Sequence, residues 1–512
     1  MSRRSLVLVA TSLASFTATL DNTVVAVALR DVQRDLGAGV SGLQGVVTAY
    51  TVSLAALLLT GGTLADVAGR RRVFLGGLAV FAGASIGCAL SDSVTALVAW
   101  RAVQGAGAAL VIPGGLAVLA DAYPDGRERG RAIGIWAATG ALALAVGPVV
   151  GGLLVRAHGW PAVFEVNVPL CAAVAAVVLF APAGAPSPKR RLDLPGQVLV
   201  AAGLAATTYA VVLAGRDGFG RPVAVALAFG LAALAAFGVV EHRAVDPLLP
   251  RGLLTDCAFV GTTAAAFAAS LAVFVLLVFL SLFLQLVQQL EALPAALRLL
   301  PLTVGLVVAA PVAVRLRARV AVVSGLVVAA AGVLLVAAAL TPDIGALVLG
   351  ALLGLVGIGL GLVGAPVVVA SLDAVSSSRR GLAAATVNAA RELGGVVAIG
   401  GLGALVVARL AADLTTRLVQ LGVPRGRSAD LVDAVLRGAP ALQVARKAGP
   451  GVGLDALLQL RSAAAASYVS STRVALVGAA VVLLLAAAVA ARTLGRPDVA
   501  PDASTPGAAG GA

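Results

Sequence analysis

The chain has 512 residues, of which 60% are hydrophobic and only 12% charged, with a mean hydropathy of +1.03. Soluble domains run about 45–50% apolar and about 25% charged, so no soluble core accommodates this excess and lipid must solvate much of the surface. The net charge of +13 does not signal a nucleic-acid partner, because the basic residues fall in short gaps between apolar runs and form no basic face interleaved with aromatics.

A helix of roughly 20 apolar residues crosses a bilayer. Taken in chain order, such runs fall near 6–29, 42–64, 73–91, 96–121, 131–155, 163–183, 194–214, 222–241, 258–286, 292–314, 320–340, 345–371, 381–408 and 473–491. The first is too long for the core of a signal peptide and no small-residue cleavage site follows it, so it reads as an uncleaved span. The fold class is therefore all-α integral membrane, with about 14 transmembrane helices and both termini on one side.

Basic residues orient the chain, because short cytoplasmic loops collect Lys and Arg. With the N-terminus inside, the inner segments hold 20 of them and the short outer loops 5. This predicts a multi-pass protein of the cell membrane with both termini cytoplasmic. One long connection, near 409–472, falls outside; long loops translocate largely regardless of charge and do not vote. Within it Leu414, Leu418 and Leu421 recur at helical spacing, with Leu431 and Leu436 beyond. They suit short amphipathic helices lying on the membrane or capping the outer mouth, or a plain solvated loop.

The turn Gly62-Thr-Leu-Ala-Asp-Val-Ala-Gly-Arg-Arg-Arg72 has a weak echo in the basic turn around Pro311–Arg319. Parallel repeats of six helices with a site between them are a known transporter plan. The division expected is a six-helix bundle at 1–183, an inserted helix pair with its links at 184–257, and a second six-helix bundle at 258–495. A disordered tail follows at 496–512, rich in Pro, Gly and Ala.

Ionisable groups inside a membrane are rare and functional, because each costs about 2.5–3.5 kcal/mol on insertion scales. Asp21, Arg101, Arg391 and Glu392 fall within the predicted spans, and Glu165 just inside the outer end of the sixth. Asp21 and Arg101 lie at similar depth, roughly 12 and 8 Å from the outer edge at 1.5 Å per residue. They are expected to meet, directly or through water, in a central cavity, where protonation of Asp21 would free Arg101. Arg391 and Glu392 are neighbours about 100° apart on a helix, so one is expected to line the cavity while the other pairs between helices. Glu165 either attracts cationic substrates or reaches water. Cys88, Cys171 and Cys257 show no metal spacing, and no metal site is expected.

Four motifs occur in order: Leu20-Asp-Asn-Thr-Val-Val-Ala-Val-Ala-Leu29, the Gly62–Arg72 turn, Leu97-x-x-x-Arg101-x-x-Gln-Gly-Ala-Gly-Ala-Ala109, and Gly134…Gly140…Gly147-Pro-Val-Val-Gly-Gly152. Together they resemble the major facilitator superfamily, and the inserted pair points to its fourteen-helix drug:proton antiporter branch. Smaller matches include Gly159-Trp160 through Asn167-Val-Pro169. The resemblance implies a major-facilitator fold of two six-helix bundles plus an inserted helix pair. It also implies a cytoplasmic gate formed by Gly62, Asp66, Gly69, Arg70, Arg71 and Arg72, with Asp66 pairing to cationic groups across the two halves. Val67 stands where the family usually has a basic residue. Gly147, Pro148, Gly151 and Gly152 correspond to the helix-bend motif of exporters, with Ala143 in place of a further glycine.

The function expected is proton-coupled export of small amphipathic or apolar molecules, a drug or an endogenous antibiotic, by a monomer. No enzyme, no catalytic residue and no cofactor is expected. There is no Walker loop for ATP, so the proton gradient is the energy source. Its partners are the bilayer, a small-molecule substrate and protons. A carrier of the same fold for an amino acid, siderophore or lipid stays open, as does a non-transporting membrane sensor.

Overall fold

The computed structural model describes residues 3–37, 40–179, 193–217, 220–243, 256–290, 292–375, 380–420, 428 and 454–494. Among them every regular element is helical. In chain order these are α1 (Arg3–Leu36), α2 (Val40–Ala68), α3 (Arg70–Ala89), α4 (Val94–Ala122) and α5 (Gly126–His158). Then come α6 (Ala162–Leu179), α7 (Leu194–Asp217), α8 (Arg221–Arg243) and α9 (Cys257–Leu282, with a wider π turn at Phe283–Val287). The rest are α10 (Ala292–Ala313), α11 (Ala318–Ala339), α12 (Ala346–Asp373), α13 (Arg380–Val396, then a π turn at Val397–Leu402, then Gly403–Gln420) and α14 (Leu454–Thr493). Among the described residues thirteen are long and apolar enough to cross a membrane, and α5, at 33 residues, reaches across by length.

The pairing repeats between the halves. In the first bundle α2 packs on α4, α3 on α4, α1 on α5 and α3 on α6; in the second α10 packs on α12, α11 on α12, α9 on α13 and α11 on α14. Each partner is shifted by eight helices, six for the repeat and two for the inserted pair α7–α8. That pair is placed asymmetrically. Helix α7 lies against α2 of one bundle and α13 of the other, and so covers one of the two seams where the halves meet. The second seam, formed by α5 and α10, has no such cover among the described helices.

Small residues set the close approaches. A Cβ on Gly105 would stand 2.4 Å from the Tyr50 carbonyl oxygen, and one on Gly107 2.7 Å from the Phe81 nitrogen, so α4 meets α2 and α3 backbone to backbone. Such contacts drive helix association where no hydrophobic force separates lipid from side chain. Gly69 has φ 97°, the left-handed conformation that lets α2 turn directly into α3.

The long connection expected at 409–472 is much shorter. Helix α13 continues to Gln420 and α14 begins at Leu454. No Gly or Pro interrupts Arg409–Gln420, an Asp413–Arg417 pair at 3.0 Å supports the turn, and Val406, Leu410, Leu414 and Leu418 make a buried stripe at every fourth position. Leu414 and Leu418 therefore belong to an extension of the thirteenth span packed beside α14, not to a helix lying on the membrane. Within α14, Tyr468 donates to the Phe279 carbonyl at 3.0 Å and Arg473 to that of Leu340 at 2.7 Å, which anchors this helix at and just before the predicted start of its span. Leu421, Leu431, Leu436 and the 496–512 tail lie outside the described residues.

Candidate functional site

Asp21 and Arg101 meet directly, as their depths predict: Arg101 Nη1 donates to Asp21 Oδ2 at 2.5 Å, with both side chains fully buried. Three neutral groups complete the arrangement. Gln104, one turn after Arg101 on α4, accepts from Arg101 at 2.7 Å and donates to Asp21 Oδ1 at 3.0 Å. Asn167 of α6 donates to the same oxygen at 2.8 Å, and Ser85 of α3 accepts from Gln104 at 2.8 Å. Arg101 Nε donates to the Val46 carbonyl at 3.1 Å, and its guanidinium stacks 4.3 Å above the Tyr50 ring. Five of the six helices of the first bundle thus converge on one buried ion pair. An ion pair in a dry interior survives only with such supplementary hydrogen bonds.

This cluster is not in the cavity, contrary to the expectation from depth alone. A cavity of about 230 Å³ lies between the bundles, lined by residues of α1, α2, α4, α5, α9, α10, α12 and α13. Asp21 and Arg101 do not reach it. Asn22 does, because successive helical residues point about 100° apart, and Asp21 is turned back into its own bundle. Tyr50 forms the partition: it lines the cavity on one side, carries Arg101 on the other, and donates its hydroxyl to the Ala18 carbonyl at 3.1 Å.

The charges that do line the cavity are Arg391 and Glu392, both of them, where a division of faces was expected. The cavity is wide enough at α13 to meet two successive faces of the helix. Arg391 Nη2 donates to the Gly364 carbonyl of α12 at 3.3 Å, and the Glu392 carboxylate has no hydrogen-bond partner among the described residues. Most of the remaining wall is aliphatic, with Tyr50, Trp136 and Phe274 adding aromatic faces. Glu165 is exposed and outside this lining; it ends the short first turn of α6, Ala162–Glu165, before the helix proper begins at Asn167.

At the end of the molecule bearing the basic turns, Asp66 joins the two halves through a backbone donor of α13. Its Oδ2 accepts the backbone N–H of Leu382 at 2.9 Å, while Oδ1 faces Arg70 of its own side at 3.3 Å. Leu382 is the third residue of α13, so its N–H is one of the donors a helix start leaves unsatisfied, and the carboxylate sits at the positive end of the helix. Arg70 also pairs with Asp121, and Arg71 donates to the Leu179 carbonyl at the end of α6 at 2.6 Å. Arg72 is exposed and Gly62 buried. A second bridge between the halves, Arg129 with Asp373, was not singled out by sequence, since each residue sits at a helix end where charge is ordinary. Asp373 is half exposed, so this pair contributes less than about 1 kcal/mol, against about 1.5–3 kcal/mol for a hydrogen bond to a charged group.

In the helix-bend motif, Gly147 and Gly151 face α1: a Cβ on Gly147 would lie 1.9 Å from Thr23 Oγ1, and one on Gly151 3.1 Å from the Val24 carbonyl oxygen. A Cβ on Gly152 would meet no atom within 4 Å. The Pro148 side chain lies outside the described residues.

Two helical bundles of repeated pairing, clasped at one end around a membrane-embedded cavity, define a transporter and not an enzyme. The chain belongs to the Major Facilitator Superfamily, whose family model matches residues 11–399. It is 33% identical over 419 residues to the multidrug resistance protein Stp of Mycobacterium tuberculosis, covering 81% of this chain and 78% of that one. It is 40% identical over 395 residues to the cephamycin export protein CmcT of Amycolatopsis lactamdurans, covering 75% and 81%. Its fold is similar to that of the human organic anion transporter MFSD10 (TETRAN), with a TM-score of 0.62 at 14% identity over 96% of this chain and 100% of that one.

Proposed function

We propose that the protein exports small amphipathic or apolar organic molecules, drugs or an endogenous antibiotic, across the cytoplasmic membrane in exchange for protons. In this reading it acts as a monomer with both termini in the cytoplasm, needs no cofactor, and draws its energy from the proton gradient. The observation that carries the reading is the largely apolar cavity between the halves, charged only through Arg391 and Glu392 among its described lining residues. That lining suits an amphipathic cargo with one polar end. The export named for CmcT and the resistance named for Stp support the outward direction, and the excess of basic residues at the clasped end supports its cytoplasmic placement.

Coupling is assigned to the first bundle. A proton arriving on Asp21 removes the charge that holds Arg101, and Arg101 shares Tyr50 with the cavity wall. Ion-pair loss in the first bundle is thereby felt where cargo sits. The Asp66–Leu382 contact holds the cytoplasmic side shut and must break for the halves to rock inward.

The test is efflux of a fluorescent dye from a drug-susceptible host and from proteoliposomes under an imposed pH gradient. Wild-type protein should lower dye retention and raise drug tolerance, and collapse of the gradient should stop both. Efflux that persists after the gradient is collapsed would contradict proton coupling. No change for any compound in the panel would contradict export.

A further inference from the structure

The uncovered seam between α5 and α10 contains a second cavity, a groove of about 590 Å³. Two arginines stand in it, Arg131 from the first bundle and Arg315 from the second. Both are exposed, and neither guanidinium has a hydrogen-bond or ion-pair partner among the described residues. The remainder of the wall is nearly all apolar, including Ile135, Leu142, Val307 and Pro311, of which Ile135 is 52% and Leu142 45% exposed.

Dimensions and charge together specify an occupant. The groove runs from Arg131 to Leu142, eleven residues or about 16 Å of helix at 1.5 Å per residue. That is close to half of a hydrocarbon core about 30 Å thick, the depth of a single leaflet. A molecule fitting it carries an anionic head for two guanidinium groups at one end and a hydrocarbon chain one leaflet long. Arginine is suited to this task, because its planar donors meet phosphate oxygens in pairs. Closure at the far seam by α7 leaves α5–α10 as the flank where the membrane has access to both bundles at once.

We propose that this groove binds one anionic phospholipid of the leaflet at the basic end, with its phosphate between Arg131 and Arg315 and an acyl chain along Ile135, Leu142 and Val307. The lipid then bridges the two halves, one arginine from each.

The experiment is native mass spectrometry of the full chain released from nanodiscs of equal phosphatidylglycerol and phosphatidylcholine. Wild type should retain one phosphatidylglycerol in preference to phosphatidylcholine. The double variant R131Q/R315Q should lose that retention by about tenfold or more, as for removal of two basic side chains from an anionic surface. The variant R317Q/R319Q removes the same charge from the neighbouring turn, outside the groove, and should retain the lipid. Ala138→Trp fills the groove while keeping both arginines and should also release it, which gives a second reading if the arginine variants fail to fold. Equal retention by R131Q/R315Q, equal loss in R317Q/R319Q, undiminished binding in Ala138→Trp, or no preference in wild type would each overturn the proposal.

Discussion

Asp21 and Arg101 form a buried ion pair 2.5 Å long that Tyr50 screens from the cavity between the bundles. The pair is therefore chemically isolated from cargo yet mechanically connected to it. Asp21→Asn leaves Arg101 buried without its counter-charge, an uncompensated state worth about 3–5 kcal/mol. The variant should show lower thermal stability and no gradient-driven efflux. Replacing both partners, Asp21→Leu with Arg101→Met, should recover most of the stability and none of the coupling. Gradient-driven transport by the double variant, measured in proteoliposomes, would remove Asp21 from the coupling step.

Glu392 and Glu165 separate a cavity acid from a surface acid. Glu392→Gln changes the charge facing cargo, so apparent affinity for cationic dyes should fall several-fold relative to neutral ones, with expression unchanged. Glu165→Gln touches an exposed carboxylate away from the cavity lining and should transport as wild type does. Dye-efflux titrations on cationic and neutral members of one series read both outcomes.

Asp66 acts on a helix terminus of the opposite half, so its loss should change rates before it changes binding. Asp66→Ala removes a charged hydrogen bond to Leu382 worth about 1.5–3 kcal/mol. Turnover should slow while the dissociation constant for substrate moves less than twofold. Asp66→Asn keeps an acceptor for the N–H and should lie between. A spin-label pair across α2 and α13 at the basic end should report a longer distance in Asp66→Ala; an unchanged distance together with selective loss of binding would contradict the latch.

The glycines of the helix-bend motif are not equivalent. Gly147→Ala places a methyl group 1.9 Å from Thr23 Oγ1 and should destabilise by about 1–3 kcal/mol, the usual range for overpacking. Thr23→Gly in the same chain should restore much of the loss. Gly152→Ala enters open space and should be neutral. Thermal unfolding in detergent, alongside efflux, ranks the three.

Charged residues were the readable part of this site, and neutral polar ones were not. Asp21, Arg101 and Asp66 announce themselves because a charge within or at the end of an apolar helix demands a partner. Gln104 and Asn167 lie within recognised motifs and Ser85 outside them, but a single amide or hydroxyl in a long apolar helix has too small a transfer cost to demand one. Their convergence on Asp21 depends on how α3, α4 and α6 are rotated, which helical periodicity in nearly uniform Ala, Val and Leu does not encode. The same uniformity hid Tyr50 as a partition. Depth along a helix was legible from residue counting, but which way Asp21 turns was not, and so the pair was expected on the wrong side of Tyr50. The continuation of α13 to Gln420 was open to sequence through its four-residue stripe and the absence of a breaker; basic residues around it favoured a loop instead.

That continuation has a further consequence. From Arg380 to Gln420 and across the 40 residues of α14, each run is about 60 Å of helix at 1.5 Å per residue, twice the thickness of a hydrocarbon core. The two lie side by side and extend past the membrane at the end opposite the Asp66 contact. They form a lever that belongs to the second bundle, and α13 meets α2 and α4 of the first. A tilt of that bundle too small to resolve at the cavity is magnified at the lever's tip. A label at Gln420 paired with one at Leu36, on the first bundle, converts the transport cycle into a distance that can be followed in real time.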